Sequence, residues 1–408
     1  MKFSIPAALR HKRYLYLWLG LLISIAGSQM QISALFWHIR ILTGNPQPLA
    51  LGGIGLARIL PIIIFSFLSG PVADTVNRRR VLFVTQTAMA LVALVLALLT
   101  FTGQITIWYI YLLTAIQATA VAFDGPARQA MIPNIVPAKD LPSAFSMSSI
   151  AQNAGSIIGP ALSGIVIVTL GQGYTYFFNA VSFLAVIIAL VLIGPVLQDP
   201  KKSGIHLSAA MDGIRFIFSK PIILSTMLMD FVATFFASAN TMMPIVAKDI
   251  LKVGEIGYGW LSSAQAIGSV AAGVVVSQVQ KLNKQGLIFL TAVIIFGAAT
   301  VLFGATSAFA IAMFALILMG AADAVSTIIR NTIRQLNTPD HIRGRMTAVN
   351  QIFFQGGPQL GEVESGIVAS LFGVPAAIIS GGIGCIVGTA LIVLKWPQLR
   401  NYNGDEHQ

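Results

Sequence analysis

Apolar residues run through this chain in blocks of about twenty, separated by short polar connections that are basic on alternate sides. A bilayer core about 30 Å thick is crossed by around 20 apolar residues of helix. No water inside it can satisfy exposed backbone, so helices are the form expected. The pattern predicts twelve spans: Tyr14–Trp37, Leu49–Val72, Val81–Thr102, Thr106–Phe123, Ser143–Leu170, Tyr174–Leu197, Pro221–Ile245, Gly257–Val279, Gly286–Gly304, Ala308–Ile328, Thr347–Leu371 and Val374–Leu394. The fold class is therefore all-α integral membrane.

Composition narrows this further. Of 408 residues, 56% are hydrophobic and 10% charged, whereas a soluble domain carries about a quarter charged residues. A large soluble core is excluded. The first block follows MKFSIPAALRHKR and is too long for a signal-peptide core, with no small-residue cleavage site behind it. It is expected to remain as the first membrane helix. The one cysteine, Cys385, lies inside the last block, so no disulfide framework and no cysteine-based metal site is expected.

The net charge of +11 would suit nucleic acid, but its placement argues against that partner. Twenty-one of the 25 lysines and arginines fall on the side that holds both termini, and the opposite side carries Arg40, Lys248 and Lys252, with Arg58 inside a span. Lysine and arginine mark the cytoplasmic side of membrane proteins. Both termini are expected in the cytoplasm, with the chain in the cytoplasmic (inner) membrane. An error of one span would scramble the asymmetry, so the charges also support an even count.

The chain divides near its middle. Residues 1–197 form a first six-helix unit, 198–220 a linker, 221–396 a second unit and 397–408 a tail. In the linker, Leu207, Met211, Ile214 and Ile217 recur at helical spacing, which predicts an amphipathic helix on the cytoplasmic surface. The two units echo each other. Arg128 is followed nine residues on by Pro137, and Arg330 by Pro339; Gly159-Pro160 matches Gly357-Pro358; Asp124 and Asp323 precede the two basic loops. Tandem six-helix repeats are typical of transporters, with substrate bound near the midplane between them.

The loop after the second span reads GPVADTVNRRRVL. It resembles the signature that major facilitator superfamily transporters carry between helices two and three, with Gly70, Asp74 and the run Arg78, Arg79, Arg80 in matching places. Asn77 departs from the pattern by replacing its second glycine, and Ser277 stands where the second half would repeat Asp74. In the fifth span GSIIGPALSG, with Gly155, Gly159, Pro160 and Gly164, resembles the glycine-proline motif of proton-coupled exporters in that superfamily. Small residues let helix backbones approach, and Pro160 withdraws a backbone donor and permits bending. DGPARQAMIP, NTPDHIRGRM and GPQLGEVESG are similar to the branch that includes enterobactin-type siderophore exporters and macrolide efflux proteins. The resemblance implies the major facilitator fold, two six-helix bundles, and a cytoplasmic latch in which Asp74 meets a nearby arginine and the N-terminal end of the eleventh helix. For Arg78 to Arg80, a role in topology alone is the alternative.

Acids deep in a span cost at least about 2.5 kcal/mol on insertion scales and are functional candidates. Asp230 falls near the midplane of the seventh span, which lines the central cavity in the family; it either faces substrate, carries a proton or fastens helices. Glu362 and Glu364 lie in the outer half of the eleventh span, and Arg58 in the second lies at similar depth. The family packs those two helices together, so Arg58 is expected to pair with one of the glutamates, as a gate or as a static ion pair. Asp124 with Arg128 and Asp323 with Arg330 are expected as local pairs at the cytoplasmic end. Gln29, Gln31 and Trp37 are candidates for the cavity or for ordinary interhelical bonding, and His38 for interface anchoring.

No phosphate-cradling Gly-Lys-Ser/Thr loop is present and the five histidines show no metal-ligand spacing, so the expectation is no enzyme, no cofactor and no metal. Two unlike halves argue against a channel, which needs pore rings repeated in an oligomer. What remains is a secondary transporter, sufficient as a monomer, that exports a small amphipathic molecule, drug- or siderophore-like, against protons by alternating access. A proton-coupled importer and a non-transporting sensor on the same fold are the alternatives.

Overall fold

The computed structural model describes residues 6–196, 214–279 and 283–403, apart from the side chains of a few helical residues. Helices follow the apolar blocks: α1 Lys12–Leu42, α2 Pro48–Thr75, α3 Arg78–Phe101, α4 Ile107–Ile135, α5 Leu141–Thr169, α6 Gln172–Ile193, α7 Pro221–Phe236, α8 Gly254–Ser277, α9 Gln285–Ala305, α10 Phe309–Leu336, α11 Asp340–Phe372 and α12 Val374–Lys395. No strand occurs among the described residues. Among the described residues, eleven helical segments are long and apolar enough to cross a membrane. The exception is α11, whose 33 residues are long enough but whose apolar half is broken up by Gln355, Gln359, Glu362 and Glu364.

Several helices run past the ends that hydropathy sets for them. Arg128 lies inside α4, and Arg330 and Arg334 lie inside α10, although the sequence places all three in loops. Helical backbone bonding continues wherever side chains find partners, whereas hydropathy stops at the first charge. Asn77, the departure from the glycine pattern, caps α3: its side chain accepts from the Arg80 amide at 3.2 Å, as a short polar residue does at a helix N-terminus.

The seventh span is not the continuous helix predicted. It ends at Phe236 and continues as a 3-10 turn at Ala239–Met242, one α-helical turn at Met243–Ile245 and a π-turn at Val246–Ile250. Pro244 has no N–H for the carbonyl of residue 240 and its ring crowds that carbonyl. Ser238, Asn240 and Thr241 also offer side chains that compete with helical bonding.

The turns repeat where the sequence repeats. Gly171 joins α5 to α6 with φ +93°, and Gly373 joins α11 to α12 with φ +87°; only glycine adopts such a backbone without strain. The chain packs as two compact units, Met1–Gly44 with Leu60–Ile205, and Asn45–Ile59 with His206–Gln408. In the first unit, Tyr14, Leu17 and Leu21 of α1 pack with Met131, Ile135, Val186 and Leu190. In the second, Met229 and Ala233 of α7 pack with Phe289, Val293, Ile329 and Cys385. Of the linker helix, residues 214–219 are helical; Ile217 is buried against Ile223, Met227, Met346 and Val349, and Ile214 is exposed. Leu207 and Met211 lie outside the described residues.

Candidate functional site

The glycine motif of α5 is a contact surface. A Cβ on Gly155 would stand 2.5 Å from the Ile25 side chain, and one on Gly159 would stand 2.5 Å from the Ala26 carbonyl. The backbone of α5 therefore lies directly on α1, with Pro160 and Gly164 buried just beyond. The second half does the same with α11 on α7: a Cβ on Gly361 would overlap the Phe235 carbonyl, and one on Gly357 would overlap Thr234 Oγ1.

The polar residues of α1 are drawn into the first unit. The Gln31 amide donates to Gln117 Oε1 at 2.5 Å and its oxygen accepts from Asn179 Nδ2 at 2.7 Å. Gln29 donates to Ser156 Oγ at 2.9 Å, and Trp37 is fully buried. The glutamine contacts are interhelical bonds of the kind that the sequence left open as the alternative to a cavity role. His38, expected as an interface anchor, is covered by α6. It is buried and stacks on Tyr176, whose hydroxyl lies 3.0 Å from Nδ1. The cause is α6, which packs along α1 from Gly20 and Gly27 to His38 and covers the ring.

At the basic end of the first unit, Asp124 is buried. It accepts from Thr85 Oγ1 at 3.1 Å and Gln86 Nε2 at 2.8 Å, while Arg128 Nε lies at 3.7 Å. The arginine run divides its work. Arg78 donates to the Ala130 carbonyl and Asn134 Oδ1, and Arg79 to the Leu190 carbonyl, tying α3 to α4 and α6. Gly70 sits in α2, and the Asp74 side chain lies outside the described residues, as does any latch formed by it.

Charges gather inside the second unit. Arg330 of α10 and Asp230 of α7 have side chains 2% and 1% exposed, with Nη1 2.8 Å from Asp230 Oδ1. Arg330 Nη1 also lies 3.2 Å from Ser326 Oγ. Asp323, two turns back on the same face of α10, has Oδ1 3.7 Å from Arg330 Nη2 and is 44% exposed. One cation thus stands between two acids, the nearer one dry and the farther one wet. Asp230 Oδ2 and Arg330 Nε make no hydrogen bond to any described residue. Arg334, one turn on, donates to Asn331 and Asn350. The expected Asp323–Arg330 proximity is present, but sequence reasoning missed the closer partner, Asp230. The signal for it was that Asp230 is ionisable deep in an apolar span, where a charge calls for a partner.

A second pair belongs to the same unit. Arg58 Nη1 donates to Glu362 Oε1 at 3.2 Å. Gly52 and Gly55, on the same face of α2, make the approach close: a Cβ on Gly55 would overlap the Gln359 carbonyl, and one on Gly52 would stand 2.8 Å from the Glu362 carbonyl. Glu362 is buried, and its Oε2 has no hydrogen-bond partner among the described residues. Glu364, about 200° round the helix from it, is half-buried and forms no ion pair with a described residue. No group of three metal-ligating side chains occurs among the described residues.

Residues 4–407 match the family described as transmembrane secretion effector. Over 387 residues the chain is 24% identical to the multidrug efflux pump Tap of Mycolicibacterium fortuitum, covering 92% of this chain and 93% of that protein. It is 22% identical over 336 residues to the enterobactin exporter EntS of Escherichia coli, covering 82% and 80%. Among solved structures it resembles a POT family transporter in complex with 5-aminolevulinic acid, at TM-score 0.77 and 11% identity over 98% of each chain. At that identity the likeness shows the fold.

Proposed function

The chain belongs to the transmembrane secretion effectors of the major facilitator superfamily, and from that premise we propose that it exports a small amphipathic molecule, drug- or siderophore-like, by proton antiport. It is a multi-pass membrane transporter of the efflux type and not an enzyme. Both termini are cytoplasmic in this reading, on the strength of the lysine and arginine asymmetry, and a monomer suffices. The membrane is the cytoplasmic one. Transport proceeds by alternating access, opening the substrate site to one face and then the other.

The observation that carries the coupling is Arg330 of α10 held between Asp230 of α7 and Asp323 of its own helix. A deprotonated Asp230 holds the guanidinium; a protonated one releases it toward Asp323. Such a swap couples protons to conformation only if Asp230 binds its proton with different affinity in the two access states. An ionisable group retained inside a membrane bundle is costly, which favours a working role. Arg58–Glu362 acts in this reading as the second proton-sensitive contact, a gate that weakens when Glu362 is protonated.

The test is a panel of labelled hydrophobic dyes and siderophores in inverted vesicles, with a proton gradient imposed and then collapsed. Accumulation should follow the gradient and vanish with it, and Asp230→Asn should abolish that dependence. Accumulation indifferent to the gradient would refute proton exchange, and accumulation only in right-side-out vesicles would refute export.

A further inference from the structure

We propose that the groove between α2, α3 and α4, at the end of the first unit that carries the basic run, binds one anionic phospholipid, its phosphate on Arg80 and an acyl chain along the groove. The groove encloses about 530 Å³ and is lined by Arg80, Val84, Ala88, Ile116, Thr119 and Phe123, among others. Apart from Arg80 and two threonines its walls are apolar.

Three observations converge. First, Arg80 is the member of the arginine run that reaches no acceptor among the described residues. Arg78 and Arg79 donate to other helices, whereas the Arg80 side chain is exposed. Among the described residues, the acid Asp124 is turned inward onto Thr85 and Gln86 and is 4% exposed, so it presents little charge to the groove. Second, the dimensions suit a chain hung from a headgroup. Arg80 to Ala88 is about 12 Å along α3, close to the half-thickness of about 15 Å of a bilayer core. The α3 and α4 walls lie on segments apolar enough to span, and Val84 is 67% exposed, so the medium against them is lipid. Basic pockets between membrane helices are where anionic headgroups bind.

Third, the arrangement recurs in the second unit. A groove of about 370 Å³ lies between α9 and α10, lined by Leu287, Thr291, Ile295, Leu318, Ala321 and Val325. Leu318, Ala321 and Val325 have the spacing of Ile116, Thr119 and Phe123. Lys284, exposed at the N-cap of α9, stands one turn before this groove as Arg80 stands at the mouth of the first. We assign it the same class of ligand.

The experiment is native mass spectrometry of the full-length protein in detergent, titrated with phosphatidylglycerol or with phosphatidylcholine of the same chains. Wild type should retain two phosphatidylglycerol molecules in preference to phosphatidylcholine. Arg80→Gln should leave one, weakening the lost site about fivefold, and the further change Lys284→Gln should remove the preference. Lys139→Gln, which removes an exposed charge that lines neither groove, should change nothing. Thr119→Phe, which fills the first groove, should weaken both lipids there, and a thermal melt checks that each variant is folded. Equal retention of the two lipids, unchanged retention in Arg80→Gln, or a loss in Lys139→Gln as large as in Arg80→Gln would overturn the assignment. Displacement of the lipid by millimolar inorganic phosphate would also overturn it, because the groove would then contribute nothing.

Discussion

Replacing Asp230 with asparagine isolates the buried charge pair of the second unit. Asp230 and Arg330 are 1% and 2% exposed and 2.8 Å apart, so both charges have lost their water. Removing one member of such a pair costs about 3–5 kcal/mol, because the other charge stays buried without a partner. Asp323 offers little rescue. It is 3.7 Å away and 44% exposed, and a pair that open to solvent contributes at most about 1 kcal/mol. Asp230→Asn and Arg330→Met should therefore each destabilise the protein by about 3 kcal/mol or more, and Asp323→Asn by about 1 kcal/mol or less. The double variant Asp230→Asn/Arg330→Met should recover most of the loss, since neither charge remains, with a coupling energy of about 2–3 kcal/mol. Denaturation of the purified protein in detergent, followed by tryptophan fluorescence, measures all four. If Asp230→Asn were no worse than Asp323→Asn, or if the two single penalties simply added, the pair would not be the buried couple described, and the proton swap built on it would fall.

Further expectations follow from the rest of the structure. Arg58→Ala should leave Glu362 buried without its cation and alter both transport and its pH profile, with Glu362→Gln/Arg58→Ala milder than Arg58→Ala alone; an unchanged pH profile in Arg58→Ala would remove the gate. Gly320→Ala would drive a Cβ into the Gln265 carbonyl and must force α8 from α10, whereas Gly125→Ala meets nothing within 4 Å and should gain about 0.5–1 kcal/mol as an ordinary helix substitution; equal melting temperatures would contradict the close packing. In a Cys385→Ala background, single cysteines at Lys139 and Lys248 should label from opposite faces of intact cells, with an impermeant maleimide reaching only the second, and labelling of both from outside would contradict the orientation.

Membrane insertion depends on local quantities, and these were legible in the chain. Whether a block of residues leaves water is decided by its own transfer free energy and by the charges at its ends, so the helical blocks follow from reading along the sequence. The glycine spacing of α5 was legible for the same reason: a missing Cβ is visible in one position and its consequence is close approach. Where α10 stops, how the seventh span breaks and where His38 lies were not legible, because each depends on a neighbour. Arg330 reads as a loop charge until Asp230, a hundred positions earlier, is found beside it. Arg58 and Glu362 lie 304 positions apart, and only the resemblance to a family suggested that they meet.

By itself, then, the sequence determined that this chain lives in a bilayer as helices, which way its basic loops bias it, and that Arg58, Asp230, Glu362 and Glu364 fall within apolar blocks. The tertiary structure decided which of those charges meet. Pairing is a property of two side chains brought within a few ångströms by helix packing, and no periodicity along one helix encodes the identity of its neighbour's polar face.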